Sequence, residues 1–370
     1  MAALMQTLME ELVEEILLRL PPEDAACLLR ASLVCKPWQR ILSNRAFRRR
    51  YREFHGNPPM LGFICNVECA NHGIIARFVP TASSCLPHDD RPGWRALNAR
   101  HGRVILHRMP RQSSPRDNDF LVWDPIAGEH WELPKLPLHP YYTSTAEWNV
   151  SVLCATGATC NHLHCHPGGH FIVVFVGKND SKMFSCVYSS QSRAWNRLNS
   201  CQCCVPFLGM APSVLAGNAL YLPCQGIGNQ KEILKYDMAT HSMSVIDLPP
   251  SASLYPRHSL LTTMENGALG LARLRGSKLY LLSREDSPAR DAAWELSRVI
   301  DLDTLLPADE HYFTVRNDMV GSADSAGIIF LMRNNALFTI DLKSNLMRKV
   351  YEASGIYNVI PYMAFYTPGA

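Results

Sequence analysis

The chain has 370 residues, 47% hydrophobic and 19% charged, a globular composition that excludes wholesale disorder. Thirty-six lysines and arginines against 33 acidic residues leave a net charge of +3, too little to argue for a nucleic-acid partner. At roughly 150 residues per domain the length suggests two or three domains, with a core large enough to need no disulfide staples.

The longest strongly apolar run, Phe171 to Val176, falls far short of the ~18–20 residues of a membrane span. The N-terminal segment carries Glu10, Glu11, Glu14 and Glu15, where a signal peptide would have a basic start and an apolar stretch. A soluble protein of the cytoplasm or nucleus, without membrane contact, is expected. The 13 cysteines are odd in number within a long chain, so reduced thiols serving as small core hydrophobes are the better reading.

Leu8, Leu12, Ile16 and Leu20 recur every four residues, with Val13 and Leu17 widening the stripe and the glutamates on the other face, which predicts an amphipathic helix. Pro21 and Pro22 end it, since neither donates a backbone hydrogen bond. Glu23 and Asp24 suit the start of a second helix carrying Ala25, Leu28, Leu29 and Leu33. A third, short helix from Pro37 carries Trp38, Ile41 and Leu42. Three such helices enclose little volume, so their apolar surface either faces a partner or docks on the rest of the chain. The run Arg45 to Arg52 interleaves five arginines with Phe47 and Tyr51, which favours a helix with one solvated face over a nucleic-acid or nuclear-import patch.

The stretch from Leu8 to Tyr51 resembles an F-box. Leu8, Leu12, Ile16, Leu20, Pro21, Leu28, Val34, Cys35, Lys36, Trp38 and Phe47 fall on that family's pattern of a leucine and isoleucine stripe, Leu-Pro, a leucine helix and Val-Cys-Lys-x-Trp. Met9 stands where the family usually has proline, which is expected to loosen the start of the helix without disturbing the stripe. The resemblance implies docking on the Skp-type adaptor of a cullin-RING ubiquitin ligase, with Leu8, Leu12, Ile16, Leu20, Pro21, Val34 and Trp38 as the adaptor-binding residues. Cys35 and Leu28 serve equally well as packing inside the motif.

From Pro58 helical periodicity gives way to short β-rich runs separated by Gly, Pro, Asn, Asp and Ser. Expected strands are Arg103 to His107, Phe120 to Trp123, Ser151 to Ala155, Phe171 to Val176, Ser185 to Tyr188, Ala219 to Pro223, Ile233 to Tyr236, Lys278 to Ser283, Gly327 to Met332 and Ala336 to Ile340. A weak repeat joins the segments beginning at Phe120, Phe184, Ile233 and Leu337. In each, an apolar strand leads to a polar turn and a return strand. Asp124, Asp237 and Asp341 sit where a short side chain caps the turn, and Trp131, Trp195, Met243 and Met347 begin the return strand and fill the gap between sheets. A hairpin preceded by another strand pair at roughly 45–50 residues is the sequence signature of propeller blades. The fold class expected is therefore α plus all-β: an N-terminal three-helix F-box over 5–54, then a β-propeller of about six blades over 58–368. Insertions are expected at Pro80 to Gly93, Pro110 to Asn118 and Glu285 to Ala293.

This half resembles the F-box-associated β-propellers found behind F-boxes, particularly in plants. Asp124, Pro125, Gly128, Trp131, Leu133 and Pro134 match their Asp-Pro-x-x-Gly-x-x-Trp-x-x-Leu-Pro signature in one unit and only partly elsewhere. The repeated Gly-Gly of kelch blades and the Gly-His to Trp-Asp pattern of WD repeats are missing; Gly168-Gly169 and Trp123-Asp124 occur singly.

Chemistry-bearing patterns are few. Cys160, His162, His164, Cys165, His166 and His170 are metal-ligand types, with Cys201, Cys203 and Cys204 further on, but their spacing matches no standard zinc pattern and a polar loop is the simpler reading. Gly226-Ile227-Gly228 reads as a turn, and Asp89-Asp90 as a loop rather than an acid–base pair. No catalytic residue, cofactor or metal is expected. Together these readings imply a substrate-receptor subunit of an SCF-type ubiquitin ligase, which holds an unidentified target protein near transfer chemistry performed by other subunits. A non-degradative F-box scaffold and a propeller hydrolase or lyase are the alternatives.

Overall fold

The computed structural model describes residues 2–69, 73–81, 90–109, 119–137, 147–155, 169–179, 182–196, 199–201, 208–224, 232–249, 258–285, 292–305, 317–323 and 326–366, with backbone alone over 2–9 and at 179 and 199. The sequence pattern predicts a three-helix F-box followed by a helical arginine run, and four helices form. They are α1 (Ala2–Leu18), α2 (Ala25–Val34), α3 (Lys36–Ser43) and α4 (Arg45–His55). The fourth is the arginine run, which buries Phe47 and Tyr51 while Arg49 and Arg50 stay exposed. Met9 does not loosen the start of α1: with no proline there, the helix runs unbroken through that position from Ala2.

Local chemistry sets the other boundaries. Asp24 caps α2 by accepting from the Ala26 N–H at 3.0 Å, and Asn44 caps α4 by accepting from the Ala46 N–H at 2.8 Å. Pro37 occupies the first turn of α3, and Gly56, at φ +72°, ends α4. Leu17, Leu18, Leu28, Leu42, Phe47 and Tyr51 form the helical core, each gaining about 1.5–3 kcal/mol from burial.

Six antiparallel sheets follow in chain order as the blades of a propeller. The first draws on both ends of the β region: Ile356–Met363 is innermost, followed outward by Met60–Cys69, Gly73–Pro80 and Asp90–Pro92. Blade two comprises Trp94–Arg100, Arg103–Arg108, Phe120–Trp123 and His130–Glu132. Blade three comprises Trp148–Cys154, Phe171–Asn179, Lys182–Ser189 and Ala194–Trp195, with Asn199–Cys201 added beside the third strand. Blade four is Val214–Ala216, Ala219–Pro223, Glu232–Asp237 and Met243–Asp247. Blade five is Ser259–Thr263, Leu269–Arg275, Lys278–Arg284 and Trp294–Asp301, and blade six is Asn317–Ala323, Ile328–Arg333, Ala336–Asp341 and Leu346–Glu352.

All ten expected strands form, most extended by a residue or more. Of the expected insertions, Pro80 closes the strand Gly73–Pro80 and Asp90–Pro92 is the edge strand of blade one, so that stretch is partly sheet. The centres of the other two, 110–118 and 286–291, lie outside the described residues.

The repeat turns work as their residue types predict. Asp124, Asp237 and Asp341 each accept two backbone N–H groups, from Ile126 and Ala127, Ala239 and Thr240, and Lys343 and Ser344 respectively. Four residues after each aspartate the backbone is left-handed, at Gly128 (φ +71°), His241 (φ +54°) and Asn345 (φ +56°), and Arg193 (φ +53°) holds the same place in blade three. Trp131 and Trp195 pack on the core shared by blades two and three, and the Trp195 Nε1–H donates to the Pro134 carbonyl at 2.8 Å. Met243 and Met347 pack on the clusters of blades three and four and of blades five and six.

Closure depends on the last strand. Ile356–Met363 pairs antiparallel with Met60–Cys69, setting Ile360 opposite Ile64 and Tyr362 opposite Gly62. A Cβ on Gly62 would strike the Phe78 ring, and that ring packs edge-on against Tyr362 at 5.5 Å. The buried Tyr362 hydroxyl donates to Asp124 Oδ1 at 2.9 Å and lies 3.0 Å from the Gly102 carbonyl, joining the first blade to the second.

Candidate functional site

Two regions bear on function: the outward face of the helices and the propeller channel. On α1, Leu17 is fully buried while Leu12 and Ile16, one turn apart on the opposite face, are 59% and 60% exposed. Glu14 and Glu15 point to a third side, where both pair with Arg50 of α4 at 2.5 and 2.7 Å. Hydrogen bonds from Arg19 and then Arg50 hold the Glu15 carboxyl below its ordinary range. At the end of α2, Leu33 and Val34 are 76% and 63% exposed. Pro21 is exposed as well.

The seven residues expected to bind an adaptor therefore divide. Leu12, Ile16, Pro21 and Val34 face outward. Leu20 and Trp38 are half-buried against the helical core and so also serve internal packing. Leu8 lies in α1 one turn before Leu12, and its side chain is outside the described residues. Leu28 is interior and Cys35 exposed. The sequence pattern places Leu33 on the apolar side of α2; its exposure puts it with Val34 instead, because the last turn projects beyond the core.

The arginine run is a structural face. Arg50 holds the two glutamates of α1, Arg49 pairs with Glu53 at 3.6 Å, and Arg52 is buried. Asp90 is not a loop residue: it sits on an edge strand and pairs with Arg77 at 2.8 Å. Asp89, Gly226, Ile227, Gly228, the stretch Cys160 to His166, Cys203 and Cys204 lie outside the described residues. Among the described residues no group of three His, Cys, Asp or Glu side chains is gathered as a metal site. The described cysteines are free thiols, and burial pushes Cys65 and Cys186 up to about 12, which suits packing rather than reactivity.

The channel is walled by the six innermost strands; those of blades four, five, six, one, two and three touch in that order. Asparagines tie the blades together. Asn66 exchanges hydrogen bonds with both the N–H and the carbonyl of Ala96, and Asn149 Nδ2 donates to the carbonyls of Gly209 and Ala211. Ser151 and Ser213 share a hydrogen bond. A cavity of about 310 Å³ lies between the innermost strands of blades one, four, five and six.

The helices lie at the end of the propeller where the innermost strands finish: Phe365, just past the end of Ile356–Met363, is inside the helical core. The cavity runs along these strands, from Ser259 and Tyr357 near their beginnings to Ser322 and Pro361 near their ends. In an up-and-down propeller all innermost strands run the same way along the axis, so their beginnings share one face.

A model of the F-box domain family matches residues 8–50, and one of the family described as F-box protein AT5G49610-like, beta-propeller, matches residues 97–369. The Arabidopsis thaliana F-box protein At3g18330 is 26% identical over 320 residues, covering 80% of this chain and 75% of that protein. Among solved structures, a protein from Lactobacillus plantarum covers 79% of this chain and 82% of its own at 13% identity, with a TM-score of 0.45. A mutant of AofleA from Arthrobotrys oligospora covers 84% and 91% at 12% identity, with a TM-score of 0.43. Four helices carrying the F-box pattern, six blades behind them and the match over 97–369 agree: the chain belongs to the F-box proteins with an AT5G49610-like β-propeller.

Proposed function

We propose that this chain is the substrate-receptor subunit of an SCF-type ubiquitin ligase, with helices that dock on a Skp-type adaptor and a propeller that holds a target protein. The observation that carries the reading is the exposed apolar set Leu12, Ile16, Leu33 and Val34, on helices that pack a different face, with Leu17, Leu18 and Leu28, in the helical core. Such a set is costly in water and suits an apolar groove on a partner. Pro21 extends it, Leu8 continues the stripe by one turn, and Leu20 and Trp38 flank it while bracing the core.

The target is assigned to the propeller face away from the helices. The outer strands of blades two to five end, and the innermost strands of blades three to six begin, on that face. The contribution is positional and non-catalytic: tethering raises the target's effective concentration beside a ubiquitin-charged enzyme held elsewhere in the ligase.

Co-purification with a Skp-type adaptor tests the reading, comparing the wild type with the double variant Leu12→Asp, Ile16→Asp. Both positions are solvent-exposed, so the variant folds, and two carboxylates forced into an apolar groove weaken a micromolar contact by more than about 100-fold. Retention of the wild type and loss of the folded variant is the expected result. A wild type that never binds, or a variant that binds equally well, overturns it.

A further inference from the structure

Three polar groups at the channel cavity lack the partners that burial demands. Tyr357 and Asn358, consecutive on the closing strand, both line it, and the Tyr357 hydroxyl and Asn358 Oδ1 are buried with no hydrogen-bond partner. Arg95, on the innermost strand of blade two, stands behind this lining rather than in it and reaches it through Tyr357. Its guanidinium lies over the Tyr357 ring at 5.5 Å, and its Nη1 donates to Met210 Sδ at 3.4 Å, between the lining residues Gly209 and Ala211. The Arg95 Nε is buried and unpartnered, and no carboxylate among the described residues pairs with this side chain. A thioether is a weak acceptor for a guanidinium. Much of the remaining lining is apolar: Leu261, Met319, Val320 and Val359.

We propose that this cavity binds a small organic carboxylic acid with an apolar body, its carboxylate taken by Arg95 and the Tyr357 hydroxyl. A carboxylate accepts from both donors at once, and Asn358 Oδ1 is left to accept from a hydroxyl or N–H on the body. Burial raises the Tyr357 pKa, which keeps the phenol protonated as a donor. At about 310 Å³ the cavity is far larger than one acidic side chain needs and falls at the small end of ligand sites, which favours a free molecule over an inserted Asp or Glu of a target protein. The proposal does not depend on adaptor docking.

Calorimetric titration of the full chain with 4-phenylbutyrate and biphenyl-4-carboxylate, each beside its carboxamide, tests it. The expected result is saturable binding of at least one carboxylate below about 1 mM, with its carboxamide roughly tenfold weaker. Arg95→Gln removes that preference, and Tyr357→Phe, which keeps the ring, weakens the carboxylate several-fold. Val320→Phe, filling the cavity, abolishes binding of both compounds. Circular dichroism checks that each variant is folded. No binding by the wild type at millimolar concentration, equal binding of acid and amide, or an unchanged Arg95→Gln each overturns the proposal and leaves the cavity to water.

Discussion

The ring of Tyr51, on α4, meets the ring of Phe365 edge-on, with centroids 6.3 Å apart and an interplanar angle of 79°. Phe365 comes two residues after the strand that closes the propeller, so the chain passes from ring closure into the helical core. Ala25, at the start of α2, makes the reverse contribution by packing in the cluster that holds Leu61, Phe78 and Tyr362. The Tyr51 hydroxyl donates to the Leu20 carbonyl at 2.8 Å and fixes the turn after α1 in the same contact. Helices and propeller thus share residues across their boundary, which sets the outward apolar face in a fixed orientation to the channel.

Phe365→Ala tests that coupling. Truncating a buried phenylalanine costs about 3–5 kcal/mol, and here the loss falls on the helical core. Hydrogen exchange should accelerate across α1, α2 and α4 while the strands of blade four keep their protection. Helices that stay protected while the blades loosen would show the coupling to be misplaced.

The outward face makes a second, separable prediction. Leu33→Asp alters a side chain 76% exposed, so stability should change by no more than about 0.5 kcal/mol while adaptor binding drops sharply. Leu17 follows the exposed Ile16 directly in the chain but is fully buried, so Leu17→Asp should unfold the helical unit. Thermal unfolding and adaptor pull-down on both variants distinguish a docking face from a core, and equal effects from the two substitutions would count against the division.

Much of this architecture is legible in the sequence because local patterns and tertiary demands coincide. Phe120–Trp123 and Ala219–Pro223 form with the predicted bounds, being short apolar runs cut off by polar turns. The closing strand Ile356–Met363 escapes such reading because its partner, Met60–Cys69, lies at the far end of the β region, and no local signal announces the pairing. The stripe at Leu12 and Ile16 is readable from spacing, but spacing cannot decide which apolar face a helix buries; that is why Leu20 and Trp38 are partly internal and Leu33 external. Arg95, Tyr357 and Asn358 give no sequence signal, since they meet only where two blades adjoin.

The repeat turns hide a conformational requirement behind different residue types. Gly128, Arg193, His241 and Asn345 all adopt positive φ, a region where a Cβ costs roughly 1–2 kcal/mol. Gly128→Ala should therefore destabilise by about 1 kcal/mol even though open space surrounds the added methyl. Arg193→Gly should be neutral or stabilising by up to about 1 kcal/mol, the relief of strain being partly offset by a more flexible unfolded chain. Denaturant midpoints measure both, and a substantial loss of stability in Arg193→Gly would contradict equivalence of the turns.

The same turns predict a dependence on pH. Asp237 Oδ1 accepts from the N–H groups of Ala239 and Thr240, both at 2.9 Å, and from the Thr240 hydroxyl at 3.0 Å. These bonds, the Thr240 N–H foremost, hold the carboxyl below its usual range. A carboxyl depressed in the folded state adds stability that is present above its unfolded pKa, about 3.9, and is lost as pH falls through the lower folded value. Asp237→Asn keeps an acceptor oxygen but cannot carry the charge, so wild type should exceed it by a constant margin from about pH 5 to 7. That margin should then close as pH drops below about 4. Urea midpoints of the two proteins across this range give the answer; a margin that stays level or widens towards low pH would mean that the turn gains nothing from the carboxylate's charge.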